Sequence, residues 1–130
     1  MNFRQPNHSF SFAARMASMQ CAGRGVLLTL RSQHNMWIHT AATVVVIVTS
    51  LYFGITVVEW CLIVLACAAV WTAETMNTAF ESLADATTQE SHPIVGRAKD
   101  MAAGAVLITA LSAVIIGVVI FGPYVLHLFR

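Results

Sequence analysis

Charge is scarce in this chain: seven basic and six acidic residues are spread over 130 positions, for a formal net charge of +1. So small and even a balance argues against an extended nucleic-acid surface, whose affinity needs many Lys and Arg contacts. Paired cysteines are missing as well. Cys21, Cys61 and Cys67 form no ligand or disulfide motif, and two of them fall inside one apolar stretch, so they are expected to be small buried packing groups. Neither a Walker motif nor a kinase-type glycine-rich loop is present, so the general nucleotide motifs carry no argument here. The first apolar run starts late and no small-residue cleavage site comes after it, so it is expected to act as its own insertion signal.

The chain is rich, by contrast, in apolar length. Hydrophobic residues make up 58% of it and charged residues 10%, a balance that points to an all-α membrane protein with three spanning helices. The stretches run from Met36 to about Phe53, from Val57 to about Ala73 and from Met101 to about Leu126. Each is long enough, or nearly so, to cross about 30 Å of hydrocarbon at about 1.5 Å per residue. Gly54-Ile55-Thr56, the connection between the first two, carries no charge. Arg4, Arg15, Arg24 and Arg31 precede the first span, and Arg97 and Lys99 lie between the second and third. The positive-inside rule therefore places the N-terminus and the connection between the second and third spans in the cytoplasm, with Arg130 outside. Residues 1–9 are expected to be a flexible N-terminus and 10–130 a single membrane domain. Met16, Met19, Gly23, Leu27 and Leu30 recur at helical spacing beside a face with Gln20, Arg24 and Arg31, the pattern of an amphipathic helix on the membrane surface.

No Gly or Pro interrupts residues 57–85, so the second span should continue as helix past Ala73. Glu74, Asn77, Glu81 and Asp85 then share one face, a stripe of acceptors descending out of the membrane. Trp71, one turn further in, marks the headgroup layer. After a polar loop, Pro93 suits the first turn of the third span with Ser91 or His92 as its cap, which sets Arg97, Lys99 and Asp100 in the same aqueous layer. Carboxylates beside Lys and Arg at a membrane surface suit phosphoryl transfer to a lipid hydroxyl: one takes the hydroxyl proton, others hold magnesium, and the cations neutralise phosphates. The same residues also have plainer uses. Glu74 and Asn77 can hydrogen-bond between helices, and Lys99 and Asp100 can anchor at the interface. His39 and His127 are expected to be interfacial packing residues, and Glu59 and Trp60 outer-end anchors.

Glu74-x-x-Asn77-Thr78-Ala79-x-Glu81, with His92-Pro93 and Gly96-Arg97-Ala98-Lys99-Asp100 after it, resembles the signature of the small bacterial membrane lipid kinases, the diacylglycerol kinase and undecaprenol kinase family. Glu59-Trp60, Asn35-x-x-Ile38-His39 and Ser18-x-x-x-Ala22-x-x-Gly25 extend the likeness upstream. The resemblance implies a homotrimer of three-span subunits, each preceded by a surface helix, using ATP and magnesium to phosphorylate a lipid alcohol, either diacylglycerol or undecaprenol. By position it makes Glu74 the general base and Asn77 the residue that orients the site. It assigns Glu81 to the metal, and Glu90, Ser91, His92, Lys99 and Asp100 to the nucleotide. At Gln33, where the family pattern offers a second metal-binding glutamate, the amide oxygen can coordinate but brings no charge. A catalytically impaired regulatory relative is therefore one alternative function, and a small ion or proton transporter built around Glu74 and Asn77 is another.

Overall fold

The computed structural model describes residues 10–87 and 92–130. They form four helices: α1 Phe12–Ser32, α2 His34–Phe53, α3 Val57–Thr87 and α4 Pro93–Leu128. The expected polar leader, residues 1–9, lies outside the described residues.

Local chemistry sets the helix ends. Ser11 caps α1, its side chain accepting from the Ala14 N–H at 3.4 Å. Gln33 is the single extended residue between α1 and α2. Gly54 closes α2 in the left-handed region at φ 61°, a conformation that costs a residue with a Cβ far more than it costs glycine. At the start of α3, Glu59 accepts from the Thr56 N–H at 2.7 Å while its own N–H donates to Thr56 Oγ1 at 3.3 Å, a reciprocal capping box. His92 caps α4 and Pro93 occupies its first turn, as the sequence anticipates.

Helix lengths position the site. At about 1.5 Å per residue, the 20 residues of α2 span about 30 Å, the 31 of α3 about 46 Å and the 36 of α4 about 54 Å. Contacts at the Gly54 end hold the three helices there. Ile55, Ile63 and Ile120 form a buried core packed by Trp60, Phe121 and Tyr124, and the Phe53 ring lies 5.5 Å from that of Tyr124. The excess length of α3 and α4 therefore projects past the opposite end, beside α1, and carries most of the charged residues of both helices.

All three long helices are apolar enough to cross a membrane, and the chain covers little of them itself: 6% of the most apolar window of α4 is buried. Several of their hydroxyls are handled locally. Thr40, Thr43, Ser50, Thr75 and Ser112 each donate to the carbonyl four residues earlier, at 2.7–2.8 Å, so none of these five faces hydrocarbon as an unpaired donor. The small residues of α4 do not mediate close packing within the chain, since a Cβ at Gly104 or Gly117 meets nothing within 4 Å. Cys21 and Cys61 are exposed and Cys67 is half-buried, so the expectation of buried cysteines fails: Cys61 sits on an outward face of α3.

Candidate active site at the polar end of the bundle

The acceptor stripe of α3 runs from complete burial to open solvent. Glu74 is 1% exposed and Asn77 is buried, Glu81 is half-buried, and the Asp85 side chain is 71% exposed. This gradient follows from the overhang of α3. Its upper part is enclosed by α2 and α4, and its lower part has only α1 and the start of α4 nearby.

Glu81 ties the stripe to α1. Its Oε1 accepts from Asn77 Nδ2 at 2.9 Å and its Oε2 from Gln33 Nε2 at 3.1 Å. Gln33 thus meets Glu81 as the metal assignment requires, but through its amide nitrogen. Four residues on, Asp85 Oδ1 accepts from Lys99 Nζ at 2.6 Å, pinning α4 to α3. Exposed ion pairs of this kind contribute about 0–1 kcal/mol, so Lys99 can change partner at little cost. Asp100 and Arg97 are exposed on the same turn region of α4. His92 Nδ1 is engaged as the helix cap, accepting from the Ile94 N–H at 3.3 Å. Glu90 and Ser91 lie outside the described residues.

Glu74 stands apart. Among the described residues neither of its carboxylate oxygens has a hydrogen-bond partner, and the same holds for Asn77 Oδ1. A buried carboxylate without partners costs several kcal/mol, and native structures rarely keep one without a use for it. Both residues line a 320 Å³ cavity with Asn35, His39, Val106 and Leu107. A second cavity of 490 Å³, lined by residues such as Ala42, Val46, Val70 and Gly117, runs on toward the Gly54 end; Ile38, His39 and Ala110 border both. A cavity holding a free carboxylate thus adjoins a more apolar one along the three long helices. This is a shape for an amphiphile whose reactive group is polar and whose tail is hydrocarbon.

Two contributors were not apparent from sequence. His39, expected to be a packing residue, lies at the junction of the cavities; its nearness to Glu74 comes from packing between α2 and α3, which periodicity along α2 does not encode. Trp71, expected in the headgroup layer, donates from Nε1 to Thr43 Oγ1 at 3.1 Å and so braces α2 against α3 just beyond the chamber.

The family model described as prokaryotic diacylglycerol kinase matches residues 20–121. The chain belongs to this family. It is 38% identical over 102 residues to an undecaprenol kinase of Bacillus subtilis (strain 168), an alignment covering 78% of this chain and 83% of that protein. It is 36% identical over 114 residues to a diacylglycerol kinase of Synechocystis sp., covering 87% and 65% of the two chains. A diacylglycerol kinase of Helicobacter pylori is 36% identical over 83 residues, covering 64% and 62%. Within this prokaryotic diacylglycerol kinase family match lie Gln33, His39, Glu74, Asn77, Glu81, Lys99 and Asp100, whereas Tyr124 lies past its end.

Proposed function

We propose that the chain is an integral-membrane lipid kinase that transfers the γ-phosphoryl group of ATP to the hydroxyl of a membrane lipid alcohol. The observation that carries the reading is the buried, unpartnered Glu74 carboxylate at the head of a cavity that turns apolar toward the membrane interior. Family membership and relatives named as lipid kinases support it.

Glu74 accepts the hydroxyl proton as the alcohol oxygen bonds to the γ-phosphorus; the bond from that phosphorus to the bridging oxygen breaks, and ADP leaves with the electron pair. Asn77 orients the site by holding Glu81 through Nδ2. Lys99, freed from Asp85, meets the nucleotide phosphates together with Arg97. Asp100, His92 and the adjoining Glu90 and Ser91 border the nucleotide.

The residues present fit a magnesium ion that arrives with the nucleotide. One carboxylate, Glu81, lies beside the amide side chain of Gln33 and the unpartnered Oδ1 of Asn77, and Mg²⁺ is commonly held by one or two carboxylates plus substrate phosphates. Among the described residues no three His, Cys, Asp or Glu side chains gather to hold a metal alone. When bound, the ion neutralises charge developing on the transferred phosphoryl group.

The polar end faces the cytoplasm of the bacterial inner membrane, with α1 on the membrane surface as an amphipathic helix and residues 10–130 as one membrane domain. Subunits associate as a homotrimer through apolar faces that a single chain leaves open. ATP-dependent phosphorylation by the purified protein in mixed micelles with magnesium, offering diacylglycerol and undecaprenol separately beside Glu74→Ala, tests the reading. Phosphate on a lipid that vanishes in the variant is expected; none on either contradicts kinase activity and favours the regulatory alternative.

A further inference from the structure

We infer that His39 is a specificity-determining residue, and that the alcohol this chain accepts carries hydrocarbon directly behind its hydroxyl carbon, as a polyprenol does, rather than ester groups. The inference rests on the lipid-kinase reading and narrows its substrate.

Hydrogen bonding changes along the cavity wall. From the polar end inward, α2 contributes Asn35, His39 and Thr43 to the two cavities, one residue per turn. Thr43 is committed: its hydroxyl donates to the His39 carbonyl at 2.7 Å and accepts from Trp71 Nε1 at 3.1 Å. Beyond it the lining described is aliphatic, apart from the weak thiol donor of Cys67. Among the described lining residues, His39 is therefore the last side chain with an uncommitted strong hydrogen-bonding group before the wall turns apolar. It borders the chamber that holds the free Glu74 carboxylate, so a hydroxyl reaching Glu74 lies within the layer His39 serves.

The second cavity adjoins that chamber at Ile38, His39 and Ala110, and its chemistry selects the group attached behind the hydroxyl. A diacylglycerol carries two ester groups within a few bonds of its hydroxyl. Their carbonyls would enter the apolar section and lose water without gaining a donor, a penalty of roughly tenfold to a hundredfold in kcat/KM. A polyprenol places nothing polar there.

The test uses the full-length protein in mixed micelles with magnesium and ATP, titrating undecaprenol, prenol (a single isoprene unit) and diacylglycerol. Undecaprenol should exceed diacylglycerol in kcat/KM by roughly tenfold or more. Gly117→Leu fills the far part of the tail cavity, about 10 Å of helix beyond Ala110, at a position where a Cβ meets nothing. It should raise the KM for undecaprenol and leave prenol unchanged. His39→Leu should lower kcat/KM for both prenols while His39→Gln restores part of it, which a purely structural role would not produce. Diacylglycerol turned over as readily as undecaprenol overturns the inference and leaves the kinase reading intact. So does His39→Leu with parental kinetics, or Gly117→Leu that slows prenol equally or changes the oligomeric mass, since the groove would then be a subunit contact. Phosphate on none of the three contradicts the kinase reading itself, and this inference with it.

Discussion

The two ends of the helical bundle handle a glutamate on the same helix in opposite ways. At the Gly54 end, Glu59 Oε2 accepts from the Thr56 N–H at 2.7 Å, the Thr56 hydroxyl at 2.8 Å and the Tyr124 hydroxyl at 2.9 Å. An aromatic and isoleucine cluster packs around this network. At the other end, Glu74 is more deeply buried and has no partner among the described residues. The difference teaches where structure and function divide. Hydrogen-bonded polar groups close the bundle at one end, and on the proposed function the unpartnered carboxylate at the other receives a group that comes from outside the chain.

The comparison can be broken in four places, in order of expected effect. Glu74→Ala should abolish lipid phosphorylation by about 10²–10⁴-fold, the usual contribution of a general base, measured as phosphate incorporated in mixed micelles. An equal loss in Glu59→Ala with its fold intact would erase the distinction. Lys99→Met should raise the KM for ATP by roughly tenfold to a hundredfold, since one charge-assisted contact contributes about 1.5–3 kcal/mol, with little change in thermal unfolding because its partner Asp85 is solvent-exposed. An ATP titration at saturating lipid reads this directly. Glu59→Gln should lower the midpoint of unfolding in detergent through weakening of the capping box and the Tyr124 bond, with turnover near parental. Smallest is Gln33→Glu. The added carboxylate beside Glu81 should lower the magnesium concentration for half-maximal activity by a few-fold. It should also tighten divalent-ion binding read by calorimetry in the absence of lipid; an unchanged requirement in both would remove Gln33 from the metal site.

Much of this architecture is legible in the chain. The uninterrupted run from Val57 gives the length of α3, and His92-Pro93 gives the start of α4, because local backbone chemistry decides both. The stripe of Glu74, Asn77, Glu81 and Asp85 follows from helical period alone, and the resemblance supplies its roles. Thr56-Val-Val-Glu59 carries a capping-box signature that was there to be read. Viewed as an uncharged connection leading to an interfacial anchor, it hid the firmest polar network of that end. Other contacts have no local signal. Tyr124 meets Glu59 across 65 positions, and His39 joins Glu74 only when α2 packs on α3. Gln33 shows a finer limit: sequence identifies an amide near Glu81 but not which of its atoms turns toward the carboxylate, and in the folded chain it is the nitrogen.

The most direct test of the account sets Glu74→Gln beside Glu59→Gln in one preparation scheme, reading thermal unfolding in detergent and ATP-dependent lipid phosphorylation on each. Removing the charge of an unpartnered buried carboxylate should leave stability unchanged or raise it while turnover falls by at least about a hundredfold, and the Glu59 variant should show the reverse pattern. A Glu74→Gln protein that unfolds earlier and retains its turnover would show Glu74 to be a structural residue, and the division between the two ends would not stand.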